Sequence, residues 1–289
     1  MSRSLLRRAA GLVTGALLAA TAAQAQPAPV ALASPAPAVP SAAAVTVASF
    51  APVPFAVGEE LRYKATFGGV RAGTARMRVE GIELVRGRPA YHVVFTLDGG
   101  VPFFRVRDRY ESWIDVQTLA SLRYRQRISE GGFHRDATYE IYPERAQYRR
   151  DADSLQASVA QPLDDGSFIY AVRVAGIRVG ETRRDDRYFK PDRNPVTIRV
   201  LRRERIKVPA GTFDAIVVQP VIKSKGIFSE GGRAEVWLSD DENRMLLQIK
   251  SRLSIGSLNL YLKSFYLPNA IVAGAGQKAT AEQLAASGY

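Results

Sequence analysis

The chain has 289 residues, a formal charge of +12 from 40 basic and 28 acidic side chains, two histidines and no cysteine. Without cysteine there are no disulfides, so the fold depends on its own apolar core, and His92 and His134 alone cannot build a His- or Cys-rich metal centre. The basic balance suits contact with anionic surfaces.

The first element is a leader. Arg3, Arg7 and Arg8 precede a small apolar run from Ala9 to Ala23, followed by Ala23-Gln24-Ala25. This is the pattern of a signal peptide over residues 1–25 with cleavage after Ala25, so the mature protein is expected in the periplasm. No later run approaches the ~20 apolar residues of a membrane-spanning helix, and no transmembrane segment is expected. Residues 26–56 are dominated by Ala, Pro, Val and Ser and read as a linker. Residues 57–267 then form one β-rich domain, and 268–289, small and weakly polar, a flexible tail.

From Glu59 the apolar period is two. "ELRYKATF" sets Leu61, Tyr63, Ala65 and Phe67 on one face; "AYHVVFTL" does the same with Tyr91, Val93, Phe95 and Leu97. "SLRYRQRIS" alternates Leu122, Tyr124, Gln126 and Ile128 against Arg123, Arg125 and Arg127. Turn signals at Gly68-Gly69, Arg86-Gly87-Arg88-Pro89, Gly131-Gly132 and Pro143-Glu144 separate these runs, which predicts a mainly β, curved antiparallel sheet, half-barrel or sandwich-like. One stretch departs from period two. In "LDDGSFIYAVRVAG", Phe168, Ile169, Val172 and Ala175 are spaced for a short helix near 166–175, with Asp164-Asp165 as N-cap candidates. Beyond it lie two hairpins, one turning at Pro209-Ala210-Gly211-Thr212 and one at "SDDEN", residues 239–243. The adjacent carboxylates Asp240 and Asp241 are turn residues on this reading, because neighbours on a strand point to opposite sides and cannot converge on one ion or proton.

The segments "LRYKATFGGVRAGTARM", "DDGSFIYAVR", "KVPAGTFDAIVVQP" and "EVWLSDDENRMLLQIKSRLSIGSLNLYL" resemble, in this order and over about 57–262, the exported bacterial family grouped as domain of unknown function 3108. The resemblance implies an envelope location and a curved antiparallel sheet similar to the half-barrel of periplasmic lipoprotein carriers. It brings no catalytic residues.

Little in the residues points to catalysis. No serine sits in a G-x-S-x-G elbow, and "GGVRAGTA" lacks the lysine of a phosphate loop. No catalytic residue, metal or cofactor is expected, and export argues against nucleic acid as a partner. A curved sheet can instead hold a lipid-like or anionic envelope ligand. Candidate lining residues are Tyr63, Phe67, Tyr91, Phe95, Trp113, Tyr124 and Trp237, with Met77, Val218 and Leu260 beside them. Arg123, Arg125 and Arg127, echoed by Arg105, Arg107 and Arg109, are candidates to clamp an anionic headgroup. Two readings stand: a non-enzymatic binding or carrier protein for such a ligand, and a structural protein docking a partner through a sheet edge or basic face.

Overall fold

The period-two patterning produces strands throughout. In the computed structural model, which describes residues 51–223, 234–251 and 257–268, the first meander is β1 (Glu60–Phe67), β2 (Val70–Val85), β3 (Arg88–Val101), β4 (Phe104–Asp115), β5 (Ser121–Glu130), β6 (Phe133–Tyr142), β7 (Gln147–Arg150) and β8 (Gln156–Ala157). One helix, α1 (Ser167–Val174), interrupts. The chain then continues through β9 (Thr182–Asp185), β10 (Val196–Val208), β11 (Gly211–Val221), β12 (Glu235–Ser239), β13 (Leu246–Lys250) and β14 (Leu258–Tyr266). The leader, most of the linker and the tail from 269 lie outside the described residues.

All fourteen strands belong to one sheet, in the order β8-β7-β6-β5-β4-β3-β2-β1-β14-β13-β12-β11-β10-β9. Each named pairing is antiparallel. The chain thus walks from the centre to one edge, crosses through α1 to the other edge, and walks back until β14 pairs with β1. The sheet is strongly curved. From β5 to the β12–β13 turn is between six and seven strand spacings, roughly 30 Å if flat, whereas an eight-residue helix is about 12 Å long. Yet α1 is tied at one end to Ser121 of β5 through Ser167 (2.7 Å) and at the other to the Asn243 carbonyl through Arg173 (3.0 Å). The sheet remains open: its end strands β8 and β9 are not paired with each other, and a single parallel bridge, Leu163 to Tyr188, joins the segments that follow them.

Local features explain the curl. Gly73 and Gly99 face each other across β2 and β3, and a Cβ on either would lie 2.2 or 2.0 Å from the opposite backbone oxygen. Only glycines allow so close an approach. A bulge opposite Trp113/Ile114 inserts Leu122 as the extra residue of β5. Leu122 therefore leaves the face of Tyr124, where simple alternation put it, and joins Val85, Ala90 and Trp113 in a small cluster apart from the main core.

The expected turns form as read. Asp241 Oδ1 accepts the N–H groups of Asn243 (3.0 Å) and Arg244 (3.1 Å) and the hydroxyl of Ser239 (2.6 Å), while Asp240 pairs with Arg203 at 2.6 Å. The linker, expected to run to 56, ends sooner. Phe55 packs edge-on against Tyr91 (5.3 Å) and Tyr170 (4.8 Å), and the Gly58 N–H donates to the Val79 carbonyl at 2.8 Å. A phenylalanine among alanines and prolines does not change a composition, but Phe55 supplies a core contact.

Candidate functional site: a cavity between the sheet and its helix

The site begins with how α1 is fastened. Asp164 precedes the helix and its Oδ1 accepts the N–H groups of Gly166 (2.8 Å) and Ser167 (2.9 Å) together with the hydroxyl of Ser112 (2.6 Å). It thereby satisfies helix donors that would otherwise be orphaned. A Cβ on Gly166 would lie 2.4 Å from Ser112 Oγ, so a larger residue here would push that hydroxyl off Asp164. Burial pushes the Asp164 carboxyl up to about 6, against the hydrogen bonds that favour its charge. At the far end Arg173, its side chain wholly buried, forms a two-pronged pair with Glu59 (2.6 and 2.8 Å) and donates to the carbonyls of Pro54 and Asn243. The helix is thus fixed to β4 and β5, to the segment before β1 and to the β12–β13 turn.

Between these anchors lies a cavity of about 290 Å³. Its walls are apolar: Met77, Phe95 and Leu97 from β2 and β3, Ile249 and Leu260 from β13 and β14, and Ile169 from α1. Its polar end is acidic. Asp108, Glu130 and Asp165 line it with Tyr110 and Ser112, and among the described residues the lining contains no lysine, arginine or histidine. Burial raises the Asp108 carboxyl to about 7; the neighbouring Glu130 carboxyl adds to the rise and the Ser129 N–H, 3.1 Å away, opposes it. Burial and the adjacent carboxylates also push the Tyr110 hydroxyl up. Asp165 accepts the hydroxyls of Tyr124 and Tyr188, each at 2.9 Å. The buried hydroxyl of Tyr170, another lining residue, has no hydrogen-bond partner among the described residues. A carboxyl close to half-protonated at neutral pH, beside a second one, can both donate and accept, which suits a hydroxyl, amide or amine.

The structure separates the residues that the sequence grouped. Phe95, Met77 and Leu260 line the cavity. Tyr63 is core, its hydroxyl donating to the Leu246 carbonyl at 2.9 Å. Tyr91 packs on Phe55, Phe67 closes the end of β1 opposite Val70 and Leu258, and Val218 is core opposite Val236. Tyr124 stacks on Tyr139 in an aromatic cluster around Phe189. The two tryptophans are on the opposite face of the sheet. Trp113 stacks on His92 (4.4 Å between ring centres, 4° between planes), donates to Glu83 at 2.7 Å and lies under Arg123. Trp237 donates to Glu204 beneath Arg202 and Lys250. Beside Trp113 stands the arginine row, each member paired: Arg123 with Glu140 (2.6 Å), Arg125 with Asp136 (2.9 Å) and Arg127 with Glu111 (2.6 Å). The row is a set of ion pairs on the outer face, not a clamp at the cavity.

Sequence reasoning missed Asp108, Tyr110 and Ser112. The signal was present in "RVRDRYESW": once Arg105, Arg107 and Arg109 are assigned outward, parity sends Asp108, Tyr110 and Ser112 inward.

The model of the family described as "Protein of unknown function (DUF3108)" matches residues 62–263. No curated protein matches the chain. Among solved structures it is similar to a β-barrel-like protein of domain of unknown function DUF1849 from Brucella abortus, at 9% identity over 75% of this chain and 100% of that one, with a TM-score of 0.48. It is also similar to a hypothetical protein from Chlamydia trachomatis, at 8% identity over 77% of this chain and 93% of that one, with a TM-score of 0.34.

Proposed function

The chain belongs to the DUF3108 family of proteins of unknown function, and within that family we propose that it is a non-catalytic binding or carrier protein of the bacterial envelope that holds an amphiphile in the cavity under α1. The observation that carries this reading is the cavity itself: apolar side chains from four strands and a helix surround about 290 Å³, with polar groups gathered at one end. That is the composition of small-ligand pockets, at the lower edge of their usual range of about 300–1,000 Å³. It has room for one alkyl chain or a compact ring system and is too small for a multi-chain lipid. The leader at residues 1–25 supports the envelope location, and no helix of the described residues is long and apolar enough to cross a membrane.

The head of the ligand follows from charge. Among the described residues three carboxyl side chains and no basic group line the cavity, so an anionic head meets repulsion there and an amine, hydroxyl or amide finds partners. The alternative of docking through a sheet edge has less support. The end strands have two residues (β8) and four (β9), and such short edges offer little template for pairing.

The test is displacement of the neutral fluorophore N-phenyl-1-naphthylamine by dodecylamine, dodecanol and dodecanoate. The protein should take up the probe, release it to the amine and the alcohol, and retain it against the carboxylate. Ile169→Trp, which fills the cavity, should abolish uptake while thermal unfolding shows a folded protein. No probe uptake by the wild type, or equal uptake by a folded Ile169→Trp variant, would remove the cavity from the argument.

A further inference from the structure

In the meander, the β1–β2, β3–β4 and β5–β6 hairpin tips fall at one end of the sheet. The ring of Phe104 rests against Gly131, where a Cβ would be only 2.3 Å away, so the second and third tips touch. Two of the tips are built as such turns usually are: Gly68-Gly69 and Gly131-Gly132 supply positive φ at no steric cost. The β3–β4 tip is not. Its two loop residues are Pro102 and Phe103, and Phe103 takes φ 67°, the left-handed region that glycine or asparagine would occupy about 1–2 kcal/mol more easily. Its ring touches nothing, the residue being 106% exposed. Val70 and Phe133 project from the neighbouring tips at 67% and 49% exposure. A backbone outlier that holds a large apolar side chain wholly in water points to a function at that position.

Behind each apolar tip stands an arginine: Arg71 after Val70, Arg105 after Phe103 and Arg135 after Phe133. Arg71, Arg105 and Arg135 form no ion pair among the described residues, and Arg135 lies over the Phe133 ring at 5.3 Å. This separates them from the paired arginines of the outer face. The opposite end of the sheet is a built-in control. It exposes Leu84, but its arginines are engaged, Arg86 with Glu140 and Arg88 with Asp115.

We propose that this rim is a docking surface for an anionic lipid bilayer, with Phe103, Phe133 and Val70 entering the boundary between headgroups and acyl chains while Arg71, Arg105 and Arg135 meet lipid phosphates. The spacing fits. Two residues along a strand separate Phe103 from Arg105 and Phe133 from Arg135, about 7 Å, and interfacial side chains enter about 5–10 Å below the headgroups. Separate apolar points, each backed by a cation, suit a fluid surface that closes around them; a protein partner would need one continuous patch. The rim also adjoins the cavity, whose lining residues Leu97, Glu130 and Leu258 lie within a few residues of the three tips. The docking inference rests on the tips alone and does not require the cavity to be occupied.

The experiment is flotation of the purified protein with vesicles of phosphatidylcholine alone and of phosphatidylcholine mixed with phosphatidylglycerol. The wild type should float with the mixed vesicles and much less with the neutral ones. Binding should fall when salt is raised from about 0.1 M to about 1 M, which shortens the screening length from about 10 Å to about 3 Å. Phe103→Asn keeps the left-handed tip, so it should leave thermal stability unchanged or higher and weaken binding about tenfold, the worth of partly burying one aromatic ring. Arg105→Glu combined with Arg135→Glu should remove the preference for anionic vesicles, and Leu84→Ser at the other end should change nothing. Failure of the wild type to prefer anionic vesicles, or an effect of Leu84→Ser equal to that of Phe103→Asn, overturns the proposal. So does a concentration-dependent dimer in sedimentation equilibrium that Phe103→Asn dissolves while no vesicle binds, an outcome that assigns the tips to a second copy of the chain.

Discussion

Asp108 and Glu111 stand three residues apart on β4 and face opposite sides of the sheet. Inside, Asp108 has the carboxyl of Glu130 as neighbour and no cation among the described residues, and burial raises it to about 7. Outside, Glu111 is no more exposed, yet Arg109 and Arg127 donate to it at 2.9 and 2.6 Å; burial pushes it up, the two guanidinium groups override that, and it is held at about 2. One strand thus gives equal burial and opposite proton affinities. Parity decides the outcome: odd positions of β4 meet the arginines of β5, and even positions meet the cavity. On β4 the outer face uses charge for local pairing, and the inner face sets the Asp108 carboxyl beside an apolar space, which is where a ligand with a polar head gains most.

Substitutions can break or sharpen that contrast. The largest effect is expected at the fully buried Arg173–Glu59 ion pair. Arg173→Met strands the Glu59 carboxylate without a partner and should cost about 3–5 kcal/mol in urea unfolding, with much of the loss recovered in the double variant Arg173→Met/Glu59→Met. A small cost for the single variant would mean that α1 is held by its apolar contacts alone.

On the outer face, Glu111→Gln should cost about 2–3 kcal/mol at pH 7. The sign follows from its depressed pKa. The stabilisation is present above about pH 4.5 and is lost as pH falls through about 2, so unfolding curves of variant and wild type should converge near pH 2. A gap that persists there would assign the effect to packing.

Asp108→Asn should act in the opposite sense. The folded protein holds its Asp108 proton up to about pH 7 and the unfolded chain only to about 3.8, so Asp108 lowers stability as pH rises between those values and keeps it lowered above them. The variant should therefore melt about 3–6 °C higher than the wild type at pH 8, with no gain at pH 4. A lower melting temperature at pH 8 would show that Asp108 is better solvated than the cavity suggests. The smallest effect belongs to Arg125→Ala. Its pair with Asp136 is exposed on both sides, and unfolding free energy should change by less than about 0.5 kcal/mol.

Strands, turns and helix were legible because each is written in neighbouring residues. "ELRYKATF" is β1 residue for residue, and the helix read near 166–175 is Ser167–Val174. The turns at Pro209 to Thr212 and at "SDDEN" need only their own side chains and a permissive φ. The candidate site was legible only in fragments, with Phe95, Met77 and Leu260 on the cavity wall and both tryptophans across the sheet. An aromatic residue at a strand position has the same period whether it faces a cavity, a filled core or an outer layer of arginines.

What the sequence by itself determined was local: which residues extend, where the chain reverses, and that β4 and β5 carry arginine on alternate positions. Tertiary structure decided which parity faced inward. It placed Leu122 on the outer face through a bulge, brought Met77 and Leu260 to one wall from positions far apart in the chain, and set Asp108 beside Glu130. Alternation can report that a strand has two faces. The free energy of burying one of them depends on what the other strands, folding back from both edges around α1, bring against it.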